Sequence, residues 1–344
     1  MRRILIFLIV CLLCTLHVSA LESEPPEVPD SGELYMPDNT ESFGEGLWYI
    51  VRTAIYTFLP EIRKTASICI SIIASLMIVS ILDNYASTKL THLASTVLIG
   101  TILLNPAGIM IQLGLETVTE LAAYGKMLVP VLTGAMAAQG GITTSSSLYV
   151  ITVFGVTFLT TLITKLIIPL LYLYFCLTVI TSVFAEQLII SFKQFIKWLI
   201  TWSLKIILYV FTGFIGITGV VSGTADASAV KATKIAISGM VPVVGGIISD
   251  ASETILISAA TVKNAAGIYG ILAIISIVIG PFIKIGTQYL MLKFTGAVCS
   301  VFSGKQESEL LKDFSGGMGM LLGMTGTICL MLLVSTVCFM KGVS

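Results

Sequence analysis

Charge is scarce in this sequence, and its scarcity excludes several classes of protein. Only 11% of the 344 residues are charged and 56% are hydrophobic, whereas a soluble globular chain carries roughly 25% charged residues. The nineteen basic and nineteen acidic residues cancel, so there is no basic excess to hold a nucleic-acid backbone. The long apolar runs instead favour one unit embedded in a lipid bilayer.

Side chains that bind metals or carry out catalysis are also sparse. Only two histidines occur, His17 and His92, and the cysteines after residue 20 lie singly inside apolar runs, so we expect no metal site. The sequence contains no nucleotide-binding phosphate loop, zinc-protease motif or serine-hydrolase motif, and no nucleophile–base pair is visible. We therefore expect no cofactor and no enzymatic activity.

Residues 1–20 have the three regions of a secretory signal peptide. Arg2 and Arg3 supply a positive start, residues 4–16 are apolar, and small residues precede a cleavage point expected after Ala20. The competing interpretation is an uncleaved first membrane helix. The apolar run is short for that, because a span needs about 20 residues.

Residues 21–64 are predicted to form an exported acidic arm followed by an interfacial amphipathic helix. Residues 21–46 hold eight acidic side chains, four prolines and no Lys or Arg. This composition indicates a flexible solvated segment, either a simple tether or a docking peptide. Residues 47–64 mix apolar, charged and aromatic side chains such as Trp48, which is typical of a helix at headgroup depth. Pro60 should end or kink that helix.

Residues 65–344 are predicted to be a multi-span membrane domain of the all-α class. Helices are expected because lipid offers no partner to a free backbone group. The fold class is a polytopic transmembrane helical bundle with broken or re-entrant helices. The predicted apolar segments are 65–82, 93–113, 121–138, 147–163, 166–184, 198–221, 239–258, 265–285, 289–302 and 318–340.

The lysines of residues 193–205 suggest an orientation. Lys193, Lys197 and Lys205 should be cytoplasmic, because cytoplasmic loops carry an excess of Lys and Arg. If the signal peptide places the mature amino terminus on the exported side, an odd number of spans must precede Glu186. The five predicted segments before that residue satisfy this condition.

Two short strings in the membrane region resemble each other. Residues 127–134 read MLVPVLTG and residues 239–246 read GMVPVVGG, so Pro130 and Gly134 align with Pro242 and Gly246. Interrupted helices at matching positions of two halves are typical of inverted-repeat transporters. One interpretation is therefore an internal inverted repeat with a pathway at Pro130, Gly134, Pro242, Gly245 and Gly246. The other is a chance resemblance of apolar strings.

Two charged groups are further candidates for function. Asp250 and Glu253 share a helix face, and paired carboxylates in a membrane can pass protons or cations. The simpler interpretation is the start of an interfacial helix. Asp226, Lys231 and Lys234 form either a solvated amphipathic face or a surface that binds a partner.

The block around these charges resembles a known family. Residues 226–264 read DASAVKATKIAISGMVPVVGGIISDASETILISAATVKN, and the block ends in Lys263 and Asn264. It closely resembles the stage III sporulation protein AE family, and the similarity extends less sharply over residues 65–343. The resemblance implies a protein of the mother-cell membrane that surrounds the forespore. It also implies a multi-protein complex with a secretion-type ATPase, ring-forming proteins and small membrane subunits.

The main hypothesis is a core component of that mother cell-to-forespore channel, acting as a conduit, export gate or scaffold. Its mature amino terminus would face the space between the two membranes. Homo-oligomers fit this role, and nucleic acid is not an expected partner. The alternative hypothesis is a self-sufficient secondary transporter that uses the paired interrupted helices.

Overall fold

The structure is a computed structural model that describes residues 26–37, 42–82, 88–184, 186–240, 245–301 and 305–341. Side chains are described in these ranges except at 79–82, 88–92, 219–240, 245–259 and 305. The predicted signal peptide at residues 1–20 lies outside the described part and stays a prediction. All regular structure within these ranges is helical, which confirms the all-α class.

The described helices follow one another through short connections. They are α1 (Asp30–Glu33), α2 (Phe43–Leu82), α3 (Thr88–Ala138), α4 (Ile142–Leu162), α5 (Ile168–Phe184), α6 (Gln187–Met240), α7 (Gly245–Cys299) and α8 (Lys305–Lys341), with a π-helical turn at Ile163–Ile167 joining α4 to α5. Five stretches are long and apolar enough to cross a membrane: Leu93–Ala138, Ile142–Phe184, Gln187–Thr218, Ala260–Cys299 and Gln306–Lys341.

The long helices alternate in direction. On α7, Gly267 packs against Met340 and Gly296 packs against Leu311, so α7 runs antiparallel to α8. The α4–α5 rod is also antiparallel to α8, because Thr152 hydrogen-bonds Ser335 near one end and α5 packs on the start of α8 near the other. The bundle therefore has two ends. We call them the Gly140 end, after the α3–α4 turn, and the Glu186 end, after the α5–α6 turn.

Helix α8 lies at the centre of this bundle, and small residues allow its neighbours to approach closely. A Cβ added at Gly317 would lie 2.3 Å from the Phe175 ring, and one at Gly155 of α4 would lie 2.6 Å from Phe211 of α6. Such contacts are how membrane helices associate, because lipid provides no hydrophobic force between them. The buried face of α8 includes Phe314, Met318, Leu321, Met324, Ile328 and Met331.

Several predicted boundaries between spans are wrong, because they fall inside continuous helices. Segments 93–113 and 121–138 are one helix, α3, which continues through Pro106 and Pro130. Segments 147–163 and 166–184 form one rod that passes through Lys165. Helix α7 likewise unites 265–285 with most of 289–302, and α2 continues through Pro60. A charge or a proline alone did not end these helices.

The predicted interruption at Pro130 is therefore absent, and Pro130 is exposed on the surface of α3. Its counterpart Pro242 lies outside the described residues, so the predicted proximity of the two prolines stays a prediction. Gly245 and Gly246 are the first residues of α7. Because α3 is unbroken, only one of the two aligned strings remains a candidate for a broken helix.

The interpretation of the acidic arm as a freely solvated segment is wrong for residues 26–37, which pack against the bundle. Tyr35 is only 4% exposed, and its ring lies against Gly280 of α7, where an added Cβ would come within 3.0 Å. The Ser31 hydroxyl donates a hydrogen bond to Glu120 of α3. The arm is therefore anchored by a buried aromatic side chain and by polar contacts at Ser31 and Met36. The division of the chain at residues 64 and 65 stays a prediction.

Candidate functional site

A groove lined by several lysines follows the seam between α6 and α8. Its first part is a cleft of about 440 Å³ near the Glu186 end, and its second part is a cleft of about 310 Å³ further along the same seam. Lys197 lines both clefts, so the two form one groove, which we call the α6–α8 groove. The first cleft is lined by Tyr174, Ile190, Lys193, Gln194, Lys197, Glu309, Lys312 and Asp313. The second is lined by Lys197, Thr201, Leu204, Lys205, Leu208, Gly316, Gly319, Met320, Gly323 and Thr327.

A buried ion pair holds the first cleft together. The Lys193 ammonium lies 2.5 Å from Oδ2 of Asp313, and the two side chains are 10% and 25% exposed. The ammonium also donates to Oγ1 of Thr181 at 2.9 Å, and the Tyr174 hydroxyl donates to the backbone carbonyl of Asp313 at 3.2 Å. Additional hydrogen bonds of this kind are what a buried charge pair requires. The pair ties α5, α6 and α8 together.

Glycines of α8 form the floor of the second cleft. A Cβ added at Gly316 would lie 3.2 Å from Nζ of Lys197, so the ammonium rests directly over the α8 backbone. Nothing lies within 4 Å of the position that a Cβ would take at Gly323. The groove is therefore open at Gly323, and a larger side chain there would occupy its volume.

The groove carries a net positive charge. Lys193, Lys197, Lys205 and Lys312 face two carboxylates, Glu309 and Asp313. Because Lys193 and Asp313 neutralise each other, the remaining ammonium groups outnumber the single free carboxylate. Such a wall attracts anions or anionic headgroups.

The groove does not have the composition of a catalytic or metal centre. Among the described residues, no group of three or more His, Cys, Asp or Glu side chains could hold a metal ion. The lining combines lysines, two carboxylates, glycines, threonines and apolar side chains, and no nucleophile and base lie in the arrangement that covalent catalysis needs.

A second groove, between α4 and α6, is apolar and differs in character. It has a volume of about 460 Å³, and its lining includes Phe154, Phe158, Phe211 and Phe214. An apolar face of this kind is the expected surface of a helix in contact with lipid tails or with another apolar helix. It offers no group that would orient a polar solute.

The residues predicted from sequence lie mainly elsewhere. Pro130 and Gly134 are exposed on α3, and Lys263 is buried on α7 beside the exposed Asn264. The backbones of Asp226, Lys231 and Lys234 belong to α6, and those of Gly245, Gly246, Asp250 and Glu253 belong to α7. Their side chains, and Pro242 as a whole, are outside what the structure describes. Apart from the helix break predicted at Pro130, which is absent, none of their predicted roles is tested.

The block 226–264 nevertheless has a definable place. Helix α7 starts at Gly245, and its Gly267 lies against Met340 near the end of α8. About 22 residues at the start of α7 therefore extend beyond the end of α8. They form about 30 Å of helix at 1.5 Å per residue. The Asp250 and Glu253 backbones belong to this part of α7, beyond the Gly140 end.

Comparison with known proteins identifies the family. The stage III sporulation protein AE family matches residues 39–342, most of the chain. The chain belongs to the stage III sporulation protein AE family. Stage III sporulation protein AE of Bacillus subtilis (strain 168) is 22% identical over 201 residues, which cover 58% of this chain and 50% of that protein. The chain thus matches about half the length of this curated relative. No solved structure matches.

Membership confirms the resemblance carried by residues 226–264. The family is named for a stage of sporulation and not for a catalytic activity. Together with the five apolar helices, it indicates a multi-pass sporulation membrane protein.

The α6–α8 groove was missed by sequence reasoning, although two signals pointed to it. Lys193, Lys197 and Lys205 were interpreted only as a marker of orientation. On α8, Gly319 and Gly323 have the small-xxx-small spacing that lets another helix or a ligand approach the backbone. Neither signal says which two helices face each other, and that pairing defines the groove.

Proposed function

We propose that this chain is a membrane-embedded core component of a mother cell-to-forespore channel, in which the α6–α8 groove forms part of the wall of a conduit. The observation that carries the proposal is the groove itself. It carries a net positive charge, it lies within a bundle of apolar helices, and it is open along one side. Polar groups inside a membrane protein line pathways or pair with one another, and here Lys193 is paired while Lys197 and Lys205 remain exposed.

An open groove would be completed by other subunits. Its partners would be further copies of this chain or the other proteins of the same sporulation complex, including a secretion-type ATPase, ring-forming proteins and small membrane subunits. The location would be the mother-cell membrane around the forespore, with the mature amino terminus in the intermembrane space. Three long helical rods precede Glu186, namely α2, α3 and α4–α5. Only α3 and the α4–α5 rod are among the five apolar stretches, so α2 must also cross once for an odd number of spans to support that orientation.

The test fills the groove without disturbing the bundle. Replacing Gly323 by Leu adds a side chain where an added Cβ meets nothing within 4 Å. Replacing Gly213 by Leu is the matched control, since that exposed glycine on α6 also has nothing within 4 Å and does not line the groove. Both variants should reach normal membrane levels in a spore-forming host that carries the gene. Only Gly323→Leu should lower the yield of heat-resistant spores, at least tenfold.

The same pair of variants can refute the proposal. Normal sporulation with Gly323→Leu at normal membrane levels would mean that the groove is not a pathway, and the chain would then act as a scaffold. If both variants fail equally, the effect is one of helix packing and the groove again has no special role.

A self-sufficient secondary transporter is the alternative, and the unbroken α3 weakens it. The two hypotheses differ when purified protein is reconstituted alone into vesicles loaded with carboxyfluorescein, a small organic anion. A conduit that needs partners should leave the vesicles tight. Release of the dye by the protein alone, abolished by Gly323→Leu, would favour the transporter.

A further inference from the structure

The bundle is about twice as tall as the apolar part of a bilayer. The rod from Ile142 to Phe184 has 43 residues, or about 65 Å of helix at 1.5 Å per residue. The hydrocarbon core of a membrane is about 30 Å thick. A bundle centred in the membrane would extend about 17 Å beyond the hydrocarbon on each side.

Seven charged side chains from several helices lie near the middle of this height. We call these side chains the charged belt. They are five cations and two anions, and they come from α2, α3, the π-helical turn, α6 and α7. Six of the seven are exposed and Glu61 is partly buried. The belt consists of Glu61, Arg63, Lys64, Glu116, Lys165, Lys205 and Lys284.

Contacts with α8 show that two members of the belt share one level. Glu116 lies two residues after Gly114, where an added Cβ would meet Met324 of α8 at 3.0 Å. Lys205 lines the groove together with Gly323. Both therefore lie beside residues 323–324, close to the midpoint of α8.

Lys165 lies at the same level by interpolation along its rod. Ten residues before it, Gly155 packs against Met331, and ten residues after it, Phe175 packs against Gly317. The midpoint of those α8 positions is residue 324. Lys165 also lies in the π-helical turn, an irregularity in the rod that coincides with the belt.

The cations of α7 and α2 complete the ring. Tyr289 lies next to Gly319 of α8, and Lys284 is about one and a half turns from Tyr289 toward the Gly140 end. Helix α2 runs parallel to α7, because Ile50 packs with Leu272 and Cys69 lies against Thr295 further along. Residues 61–64 therefore fall beside the stretch from Lys284 to Tyr289.

Hydrocarbon is a poor environment for this ring. A Lys or Arg at the bilayer centre costs about 2.5 to 3.5 kcal/mol on insertion scales. Lysine side chains reduce the cost by reaching toward headgroups near helix ends, but Lys165 is 23 residues from one end of its rod and 19 from the other. Two tryptophans, Trp198 and Trp202, stack at 5.7 Å beside the belt and are about half exposed. Tryptophan is enriched at the membrane–water interface.

We propose that the charged belt lies at the phospholipid headgroup surface, so that the hydrocarbon core encloses only one half of the bundle. Phospholipid headgroups match this surface better than a protein partner does. The belt encircles several helices at one height, it combines cations with interfacial aromatics, and its net positive charge favours anionic lipids.

The test uses the native tryptophans as depth reporters. The purified chain is reconstituted in phosphatidylglycerol vesicles that contain phosphatidylcholine brominated at either a shallow or a deep acyl position, because bromine quenches tryptophan at short range. One variant, Trp48→Phe, retains only Trp198 and Trp202. The matched variant, Trp198→Phe with Trp202→Phe, retains only Trp48, which lies on α2 about 20 Å from Glu61 toward the Gly140 end.

The expected result is that Trp198 and Trp202 are quenched at least twofold more by shallow than by deep bromines. Trp48 then tells which half is in the hydrocarbon. Strong quenching of Trp48 by deep bromines would place the half toward the Gly140 end in the hydrocarbon. No quenching of Trp48 would place the half toward the Glu186 end there. Stronger quenching of Trp198 and Trp202 by deep bromines would overturn the proposal, because the belt would then lie inside the hydrocarbon. No quenching of this pair would also overturn it, because the belt would then be covered by protein.

An independent measurement covers the case in which a tryptophan variant does not fold. A cysteine placed at Lys165 in a chain whose native cysteines are replaced by alanine should react with a membrane-impermeant maleimide. The control is Leu173→Cys, which lies on the same rod about 12 Å toward the Glu186 end and is also exposed. Failure of Lys165→Cys to react, in folded protein, would contradict the proposal.

Discussion

The ion pair between Lys193 and Asp313 offers the sharpest test of how the bundle is held together. Replacing Asp313 by Leu removes the carboxylate 2.5 Å from the Lys193 ammonium, whose side chain is 10% exposed. Removing one partner of a buried pair costs about 3–5 kcal/mol, since the other charge is left uncompensated. Asp313 is 25% exposed and Lys193 keeps a hydrogen bond to Thr181, so we expect about 3 kcal/mol, the lower end of that range.

A double variant separates the lost attraction from the stranded charge. Lys193→Met together with Asp313→Leu removes both charges, and apolar replacement of a buried pair is often neutral. The double variant should therefore unfold within about 1 kcal/mol of the unmodified protein. The stability losses caused by the separate changes would then not add, which is the signature of direct coupling between the two side chains.

The assay is unfolding by sodium dodecyl sulfate in mixed micelles, followed by tryptophan fluorescence. The control is Glu61→Gln, which breaks the ion pair of Glu61 with Lys64, whose side chain is 74% exposed. Exposed pairs contribute less than about 1 kcal/mol, so this control should barely shift the midpoint. The reasoning fails if Asp313→Leu shifts the midpoint no more than Glu61→Gln. It also fails if the double variant is as unstable as Asp313→Leu.

Three further predictions concern the core, the arm and the leader. Gly317→Ala should lower the free energy of unfolding by about 1–3 kcal/mol, because its Cβ would lie 2.3 Å from the Phe175 ring. The control Gly134→Ala places its Cβ in open space and should not lower the free energy of unfolding in the same micelle assay. Tyr35→Ala should destabilise by about 3 kcal/mol, since the ring is 4% exposed against α7, and unchanged stability would restore the solvated-arm interpretation. Amino-terminal sequencing of membrane-isolated protein should begin at Leu21, and a sequence that begins at Met1 would contradict cleavage.

The sequence was sufficient to predict an all-helical membrane protein, because apolar content and the need to satisfy backbone groups in lipid leave little choice. It did not predict where the helices end. At Thr164 and Lys165 the apolar run is interrupted by polarity alone, and the helix continues, because neither residue breaks helical backbone geometry. At residues 139–141 the chain does turn, since Gly140 adopts a φ of 91°, which other residues rarely take.

The arm shows a second reason for a wrong prediction. Acidic, proline-rich composition correctly indicates that a segment cannot form its own core. It does not exclude docking onto a core formed by the rest of the chain. Tyr35 is the signal that was passed over, because a single aromatic side chain in such a segment can bury its ring in a gap between helices, here over Gly280.

The site depended on pairing that a single sequence does not reveal. Lys193 and Asp313 lie on helices separated by the whole of α7, so no local spacing connects them. Lys165 was read as the boundary between two spans, and Lys205 was read only as a marker of orientation. In the bundle both charges lie at the same height, and this shared height is the informative feature. A charge within a long apolar helix indicates a height along the bundle. Where several helices carry a charge at the same height, we expect the membrane surface at that height.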